Sequence, residues 1–157
     1  MTVTMLDHAH VYAEKGMRIF PCNTDKTPRT RNGHHDATCD VKQIAEWWGK
    51  WPEASIGWAL PENVVVIDVD IKHHEGKYGD ESLKEWESVH GKLPDTVTSL
   101  TGGGGLQLFF STDKLVKCRT GILPAVDVKT HGGYVILPPS LHPSGRRYEW
   151  EVSFDDF

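Results

Sequence analysis

Two aspartates, Asp68 and Asp70, interrupt the apolar run from Val64 to Ile71. In a strand, side chains two residues apart share one face, so both carboxylates would occupy one small volume while Val69 turns into the core. Like charges that close raise at least one pKa unless a cation compensates, and Mg²⁺ is commonly held by one or two carboxylates plus substrate phosphates. The pair fits Mg²⁺ or Mn²⁺; an acidic strand end facing solvent is the equally simple alternative.

Four consecutive glycines, Gly102 to Gly105, come directly before a second apolar run that begins at Leu106. Glycines let backbone N–H groups approach an anion closely, which favours a phosphate-binding loop. The tract lacks the Gly-Lys-Ser/Thr ending of a P-loop, and a flexible hairpin loop is the alternative. By strand alternation, Gln107 shares a face with Gly105 and Phe109.

A third acid, Asp127, has valines on both sides, which favours another strand. Taken alone, Asp127 is a solvated strand residue, and Ser140, His142 and Arg146 are ordinary turn residues. The histidine pairs His34-His35 and His73-His74 are interpreted as loop residues and not as a zinc site, because adjacent side chains rarely point at one ion.

The elements that must position these residues follow from periodicity, caps and breakers. Helices are predicted over Leu6–Lys15, over Asp40–Trp51 with Asp40 as N-cap and Gln43 as its capping-box partner, and over Glu81–Val89 with Leu83, Trp86 and Val89 on one side. Strands are predicted over Met17–Pro21, Val64–Ile71, Thr96–Leu100, Leu106–Phe110, Val126–Lys129, Tyr134–Leu137 and Arg147–Val152, and a loop over Asn23–Cys39. Helices early and strands late indicate an α+β fold.

The chain has 157 residues and a net charge of -5, with Cys22, Cys39 and Cys118 widely spaced. This length favours a single domain, and the cysteines indicate neither a disulfide framework nor a zinc ribbon. The charge argues against strong independent binding to nucleic acid, although bound cations would reverse the sign locally. No apolar stretch approaches the roughly 20 residues of a membrane span, so a cytoplasmic protein is expected.

Several stretches, read in order, resemble the bifunctional DNA primase/polymerase domain of the archaeo-eukaryotic primase superfamily. They are Lys26-Thr-Pro28, Asp36-Ala-Thr38, Asp68-Val-Asp70, the glycine loop from Thr101 to Phe110, Asp127, and Gly132 to Ser140. The resemblance extends from about Tyr12 to Trp150. It implies one primase-polymerase domain, with an α/β part over residues 1–61 packed on a mixed or antiparallel, RNA-recognition-motif-like sheet over residues 62–157, and the metal site between them.

The resemblance also implies site residues. Asp68 and Asp70 match the first catalytic motif and Asp127 the third, so they would hold two Mg²⁺ or Mn²⁺ ions that bridge an incoming NTP or dNTP. Further nucleotide contacts are expected from the glycine loop and the loops near the motifs: Gly103, Gly104, Gly105, Gln107, Lys26, Ser140, His142 and Arg146. Single-stranded DNA template and primer would be partners, a helicase domain would belong to the full-length replication protein, and a phage, plasmid or other mobile element would be its setting.

The sequence departs from the family at Gln107, where a histidine usually contacts the triphosphate. Glutamine donates a hydrogen bond but cannot carry the positive charge of histidine. Three explanations stay open: a slower natural variant, a module that binds nucleotide or primer-template with little turnover, or a deliberate substitution that traps a complex. Template-directed nucleotidyl transfer is the first hypothesis, the binding module is the second, and a metal-dependent nuclease is a remote third.

Overall fold

The computed structural model describes residues 2–71 and 78–156. The pair His73-His74, interpreted above as loop residues, lies outside the described residues. Within the described part, none of the helices has both the length and the apolar character that crossing a membrane requires.

Among residues 2–71 and 78–156, three α-helices form close to where they are predicted: α1 is Met5–Glu14, α2 is Val41–Lys50 and α3 is Gly79–His90. A capping box begins α1, because the Asp7 amide donates to Thr4 Oγ1 at 3.2 Å and Asp7 Oδ2 accepts from the Thr4 amide at 2.8 Å. At α2, Asp40 is the N-cap but its side chain makes no cap hydrogen bond. The capping-box prediction is therefore wrong there, and Gln43 Nε2 contacts Glu46 instead, at 3.5 Å.

Helix α3 ends at His90, and the φ of its C-cap residue Gly91, 93°, lies in the region that favours glycine. Val89 is 76% exposed. The apolar side predicted for this helix is therefore shorter than expected, and Leu83 and Trp86 are only half-buried. The helix packs against one six-stranded sheet, where it contacts the strands around Asp68 and Asp127.

In the part of the chain that the structure describes, nine strands form two antiparallel sheets. They are β1 (Ile19–Cys22), β2 (Ser55–Ala59), β3 (Val64–Val69), β4 (Val97–Leu100), β5 (Leu106–Ser111), β6 (Arg119–Leu123), β7 (Val126–Lys129), β8 (Tyr134–Leu137) and β9 (Glu149–Val152). One sheet has the order β1-β2-β8 and the other β6-β7-β3-β5-β4-β9. Short 3₁₀ helices occupy Gly33–Asp36 and Phe154–Asp156.

The three-stranded sheet is buried at nearly every position of its strands. Helices α1 and α2 pack against it, and α2 supplies Ile44 and Trp48 to the main core. Trp58 of β2 stacks on Phe109 of β5 with ring centroids 6.0 Å apart, which joins the two sheets. The face of β5 that carries Phe109 therefore looks toward the three-stranded sheet.

The α+β prediction is confirmed. Strands β2 and β6 were not predicted, and β8 joins β1 and β2 although it lies far along the chain. The boundary expected near residue 61 therefore does not separate the two sheets in sequence. The long crossover to β8 brings the residues that follow Asp127 back against the N-terminal strands.

Candidate functional site

One line of polar side chains crosses four strands of the six-stranded sheet. Asp127 of β7 lies opposite Asp68 of β3, Asp68 lies opposite Gln107 of β5, and Gln107 lies opposite Ser99 of β4. Residues directly opposite each other in antiparallel strands project from the same face. We call these four residues the polar row; pairing places the first and third acids of the sequence prediction side by side.

Gln107 is almost completely buried, at 4% exposure. Its Oε1 accepts a hydrogen bond from Ser99 Oγ at 2.8 Å, and Ser99 is fully buried. The other end of the carboxamide, the NH₂ group, is therefore what Gln107 can present to a ligand. A neutral donor stands where the sequence resemblance implies a histidine.

Each carboxylate of the polar row has a partner. Asp68 Oδ2 lies 3.1 Å from Lys129 Nζ, and Lys129 sits two residues beyond Asp127 on the same face of β7. Asp127 Oδ1 accepts from the Gly121 amide at 2.7 Å. The two facing carboxylates are thus balanced in part by one ammonium group and one backbone N–H, as like charges at close range require.

Asp70 lies immediately after the last residue of β3 and is exposed. Its amide donates to the Ala125 carbonyl at 2.8 Å, and its own carbonyl accepts from the Gly79 amide at 2.7 Å. A Cβ on Gly79 would collide with the Asp70 and Ala125 carbonyl oxygens. Only glycine fits this contact, which fixes the backbone of Asp70 between β7 and the first turn of α3.

The number of clustered ligands and the chemistry of their donor atoms can both be compared with what a divalent metal ion requires. Among residues 2–71 and 78–156, no group of three or more His, Cys, Asp and Glu side chains is placed to hold a metal ion, so Asp68, Asp70 and Asp127 do not form a closed three-carboxylate cage. The donor chemistry nevertheless fits Mg²⁺, which usually takes one or two carboxylates and completes its shell with substrate phosphates and water. Facing Asp68 and Asp127 supply that pair.

A cavity of about 540 Å³ lies beside the polar row, lined by both sheets. Its volume is within the range of small-molecule sites. The predicted site residues that line it are Lys26, Asp68, Asp70, Gly103, Gln107, Asp127 and His142. The structure therefore brings together seven of the eleven residues selected from the sequence.

Four predicted residues do not line the cavity: Gly104, Gly105, Ser140 and Arg146. Ser140 is fully buried, and its Oγ accepts from the Ile56 amide at 2.8 Å, so it joins β2 to the segment after β8. This position does not support the predicted nucleotide contact of Ser140. Arg146 is exposed, and its carbonyl accepts from the His142 amide at 2.7 Å.

The glycine loop is a tight turn closed by Thr101. The Gly104 amide donates to the Thr101 carbonyl and the Gly105 amide to Thr101 Oγ1, both at 3.0 Å. A Cβ on Gly105 would collide with the Val69 carbonyl oxygen, so glycine lets the loop close against the end of β3. These amides are occupied within the loop, and Gly103 is the glycine of this loop that lines the cavity.

Several cavity residues were not selected from the sequence: Thr101, Arg119, Lys129, Tyr134 and Tyr148 among them. The alternation that paired Asp68 with Asp70 would have placed Lys129 on the face of Asp127. Tyr148 had no comparable signal, because a distant segment brings it to the cavity. Burial, and then the charge of Asp68, raise the pKa of Tyr148 and keep its phenol neutral.

The predicted loop histidines His34 and His35 belong to the short 3₁₀ helix, with ring centroids 4.3 Å apart. His34 lines the cavity and lies near Tyr134, with ring centroids 5.9 Å apart. Burial, and then the neighbouring His35 and His131, lower the pKa of His34. An imidazole with a lowered pKa therefore lies beside an aromatic ring in the lining of the cavity.

A family model described as bifunctional DNA primase/polymerase, N-terminal, matches residues 9–156. The chain belongs to this family, whose class of activity is DNA primase/polymerase nucleotidyl transfer in replication. No curated protein matches the chain.

Proposed function

We propose that this chain transfers nucleotides from NTP or dNTP to a primer end on a single-stranded DNA template, with Mg²⁺ or Mn²⁺ as cofactor. The observation that carries the proposal is the pairing of Asp127 with Asp68 at the cavity. Two facing carboxylates with a lysine beside them suit a site that must hold divalent cations and a polyanion together.

The cations of the cavity fit a triphosphate. Lys26, Arg119 and Lys129 line it, and the Gln107 carboxamide adds a neutral donor. Divalent ions held by Asp68 and Asp127 would lower the cost of bringing a 3′-hydroxyl to the phosphate and of releasing pyrophosphate. When divalent cations bind Asp68, the ammonium group of Lys129 is no longer needed to balance this carboxylate. It is then a compact positive charge that can contact a phosphate oxygen.

The net charge of -5 suggests that the chain holds nucleic acid weakly by itself. Recognition of substrate would then depend on the few cations that line the cavity and not on an extended basic surface. We therefore propose that primer and template are retained with the help of a further part of the replication protein, such as a helicase domain.

A second function, binding nucleotide or primer-template with little turnover, is favoured by one observation. Gln107 is neutral, buried and fixed to Ser99, so it offers one amide donor and no positive charge. Loss of one charge-assisted contact costs about 1.5–3 kcal/mol, or about ten- to hundredfold in rate if the contact forms in the transition state.

Primer extension with Mg²⁺ or Mn²⁺ tests the proposal. Asp68→Asn and Asp127→Asn keep the shape of each side chain, and in Asp127→Asn the carboxamide oxygen can still accept from the Gly121 amide. We expect extension to fall at least about 100-fold, or about 2.7 kcal/mol, because each change removes a metal-binding charge. Asp113→Asn, at an exposed position outside the cavity, is the matched control.

Appreciable extension by either variant would contradict the assignment of the polar row. Tight triphosphate binding by the unchanged chain without product would select the binding module. Degradation of single-stranded DNA, lost in the same variants, would select the nuclease.

A further inference from the structure

A further cavity, of about 950 Å³, lies where the end of α1 and the segment after β2 meet the turn between β7 and β8. We call it the second cavity. It is larger than the cavity beside the polar row, and both are lined by His34 and Gly132. The two cavities therefore adjoin at these residues, and a ligand too long for the first cavity would extend into the second at this point.

Three ring side chains follow one another from the first cavity to the second. Tyr134 lines the first, His34 lines both and His35 lines the second. The ring centroid of His34 is 5.9 Å from that of Tyr134 and 4.3 Å from that of His35, and the planes are inclined by 31° and 32°. We call these residues the ring row. His35 is exposed, so the row ends in a ring on which another planar group can stack.

The first-cavity end of the ring row is fixed by two contacts of Tyr134. Its ring meets Phe20 edge-on, with centroids 5.1 Å apart, and its hydroxyl donates to the Lys26 carbonyl at 2.8 Å. A row that is fixed before a ligand binds loses little conformational entropy on binding.

Arg18 lines the second cavity and holds the segment that carries the two histidines. Its Nε and Nη2 donate to the Ala37 carbonyl at 3.2 and 2.9 Å, and Ala37 directly follows the 3₁₀ helix of the ring row. These bonds do not use Nη1, which can donate to an anion. The described lining also includes Glu62, and Lys15, which is paired with Asp155 at 2.8 Å. Arg18 therefore has both a positive charge and a donor atom to offer to a phosphate.

An exposed ring near a cation suits a single strand of nucleic acid. Bases of every sequence have a face that stacks on a ring, and basic side chains nearby hold the phosphates, so such surfaces bind single strands without sequence preference. A template has to be held whatever its sequence. It is also longer than one nucleotide, so it needs a surface that continues beyond the first cavity.

We propose that the second cavity holds the single-stranded template beside the nucleotide site, with a base stacked on His35 and a phosphate of the same strand bound to Arg18. The inference rests on the proposed use of a single-stranded DNA template. It assigns the template a contact surface outside the polar row.

Two variants of His35 separate stacking from charge. His35→Ala removes the ring, whereas His35→Phe keeps a planar face that cannot be charged. Binding of a fluorescently labelled oligo(dT), about 12 nucleotides long, is measured by anisotropy at low ionic strength. We expect His35→Ala to raise Kd at least about fivefold, and His35→Phe to bind within a few-fold of the unchanged chain. Because His35 is exposed, neither variant should change the thermal unfolding midpoint.

His90→Ala is the matched control for the loss of the ring. His90 is also exposed and also lies on another ring, that of Trp86, with centroids 4.7 Å apart, but it lines neither cavity. It should bind the oligonucleotide normally.

The salt dependence of binding tests the phosphate contact. Arg18→Gln keeps an amide donor for the Ala37 carbonyl and removes the charge. The slope of log Kd against log salt should become less steep by about 0.7, which corresponds to one phosphate contact with a single strand. Arg31→Gln, at an exposed position outside both cavities, should leave the slope unchanged.

Three results would overturn the inference: normal oligonucleotide binding by His35→Ala, equal weakening in His35→Ala and His35→Phe, or an unchanged salt slope in Arg18→Gln. A non-hydrolysable dNTP analogue with Mg²⁺ is measured in parallel and should bind the His35 variants normally. If binding of the analogue falls while binding of the oligonucleotide does not, the ring row contacts the incoming nucleotide and the inference is wrong.

These measurements also separate the inference from the proposed function. If the unchanged chain binds the oligonucleotide through His35 and Arg18 but extends no primer, the proposed function fails and the inference stands. If it extends primers while the variants bind normally, only the inference fails. If it binds no single strand at low salt and extends no primer, both fail.

Discussion

The two sides of the cavity differ in kind. On one side, β8 of the three-stranded sheet presents Tyr134, Val135 and Ile136, from a sheet whose strands are buried at nearly every position. On the other side, the polar row places two carboxylates and an amide on one face of the six-stranded sheet. The next pair of residues on that face is apolar, because Val66 lies opposite Phe109. One side supplies packing and the other supplies charge.

Of the two sides, only the polar row bears the free-energy cost of placing charged and polar groups beside the core. Polar groups placed beside a core lose hydration, so they need partners. Ser99 binds Gln107, Lys129 binds Asp68, and the Gly121 amide binds Asp127. Substitutions in the three-stranded sheet should therefore change mainly the free energy of unfolding, whereas substitutions of Asp68 and Asp127 in the polar row should change mainly ligand binding and catalysis.

The largest stability effect is expected from Phe20→Ala in β1. Phe20 has no exposed surface, and its ring meets Tyr134 edge-on with centroids 5.1 Å apart. Removing it should lower the free energy of unfolding by about 3–5 kcal/mol, because the cavity left behind cannot collapse fully. Urea unfolding measures the loss. Leu115→Ala, at a side chain that is 77% exposed, should change it by less than about 0.5 kcal/mol.

A loss below about 1 kcal/mol for Phe20→Ala would remove the distinction between the two sides. It would mean that removing a buried side chain from the three-stranded sheet costs as little stability as removing an exposed one.

A smaller effect is expected from Ser99→Ala in the polar row. The change leaves Gln107 Oε1 buried without a donor, which should cost about 1–3 kcal/mol in unfolding free energy. Ser88→Ala removes another serine hydrogen bond, to the Glu85 carbonyl, at an exposed position, and should cost less than about 0.5 kcal/mol.

The double variant Ser99→Ala with Gln107→Leu sharpens this prediction. With both polar partners gone, the stability should recover, since replacing a buried pair by apolar groups is nearly neutral. Equal destabilisation in the single and double variants would show that Ser99 acts through packing and not through its hydrogen bond.

The sequence predicted the local parts of the site well. Strands β7 and β8 have the predicted bounds, because valines, isoleucine and flanking glycines define them locally. Strand β2 was missed because Ser55–Ala59 is buried on both faces and shows no alternation. Strand β6 was missed because Arg119–Leu123 is mostly exposed and contains a glycine.

The register of the polar row could not be predicted, because pairing depends on contacts between distant segments. Alternation placed Asp68 beside Asp70, whereas pairing places Asp127 beside Asp68. The cover of Gly103 by His142 and the burial of Ser140 likewise depend on how the chain returns after β8. Resemblance to the family supplied the set of residues, and only the fold showed which of them meet.

The smallest stability effect is expected from Lys129→Met, and it tests the polar row most directly. The pair with Asp68 is partly exposed, so its loss should change the unfolding free energy by less than about 1 kcal/mol. Lys15→Met, which removes the exposed pair with Asp155, should have a similar effect on stability.

The same two variants should differ in binding. Without divalent metal, Lys129→Met should bind triphosphate more weakly, because two carboxylates then face the phosphates without the ammonium group, whereas Lys15→Met should bind as before. With saturating Mg²⁺ the difference should shrink, since the cation replaces the charge that the lysine supplied. Equal binding by both variants at every metal concentration would show that Lys129 only balances Asp68 in the folded chain and takes no part in recognising phosphate.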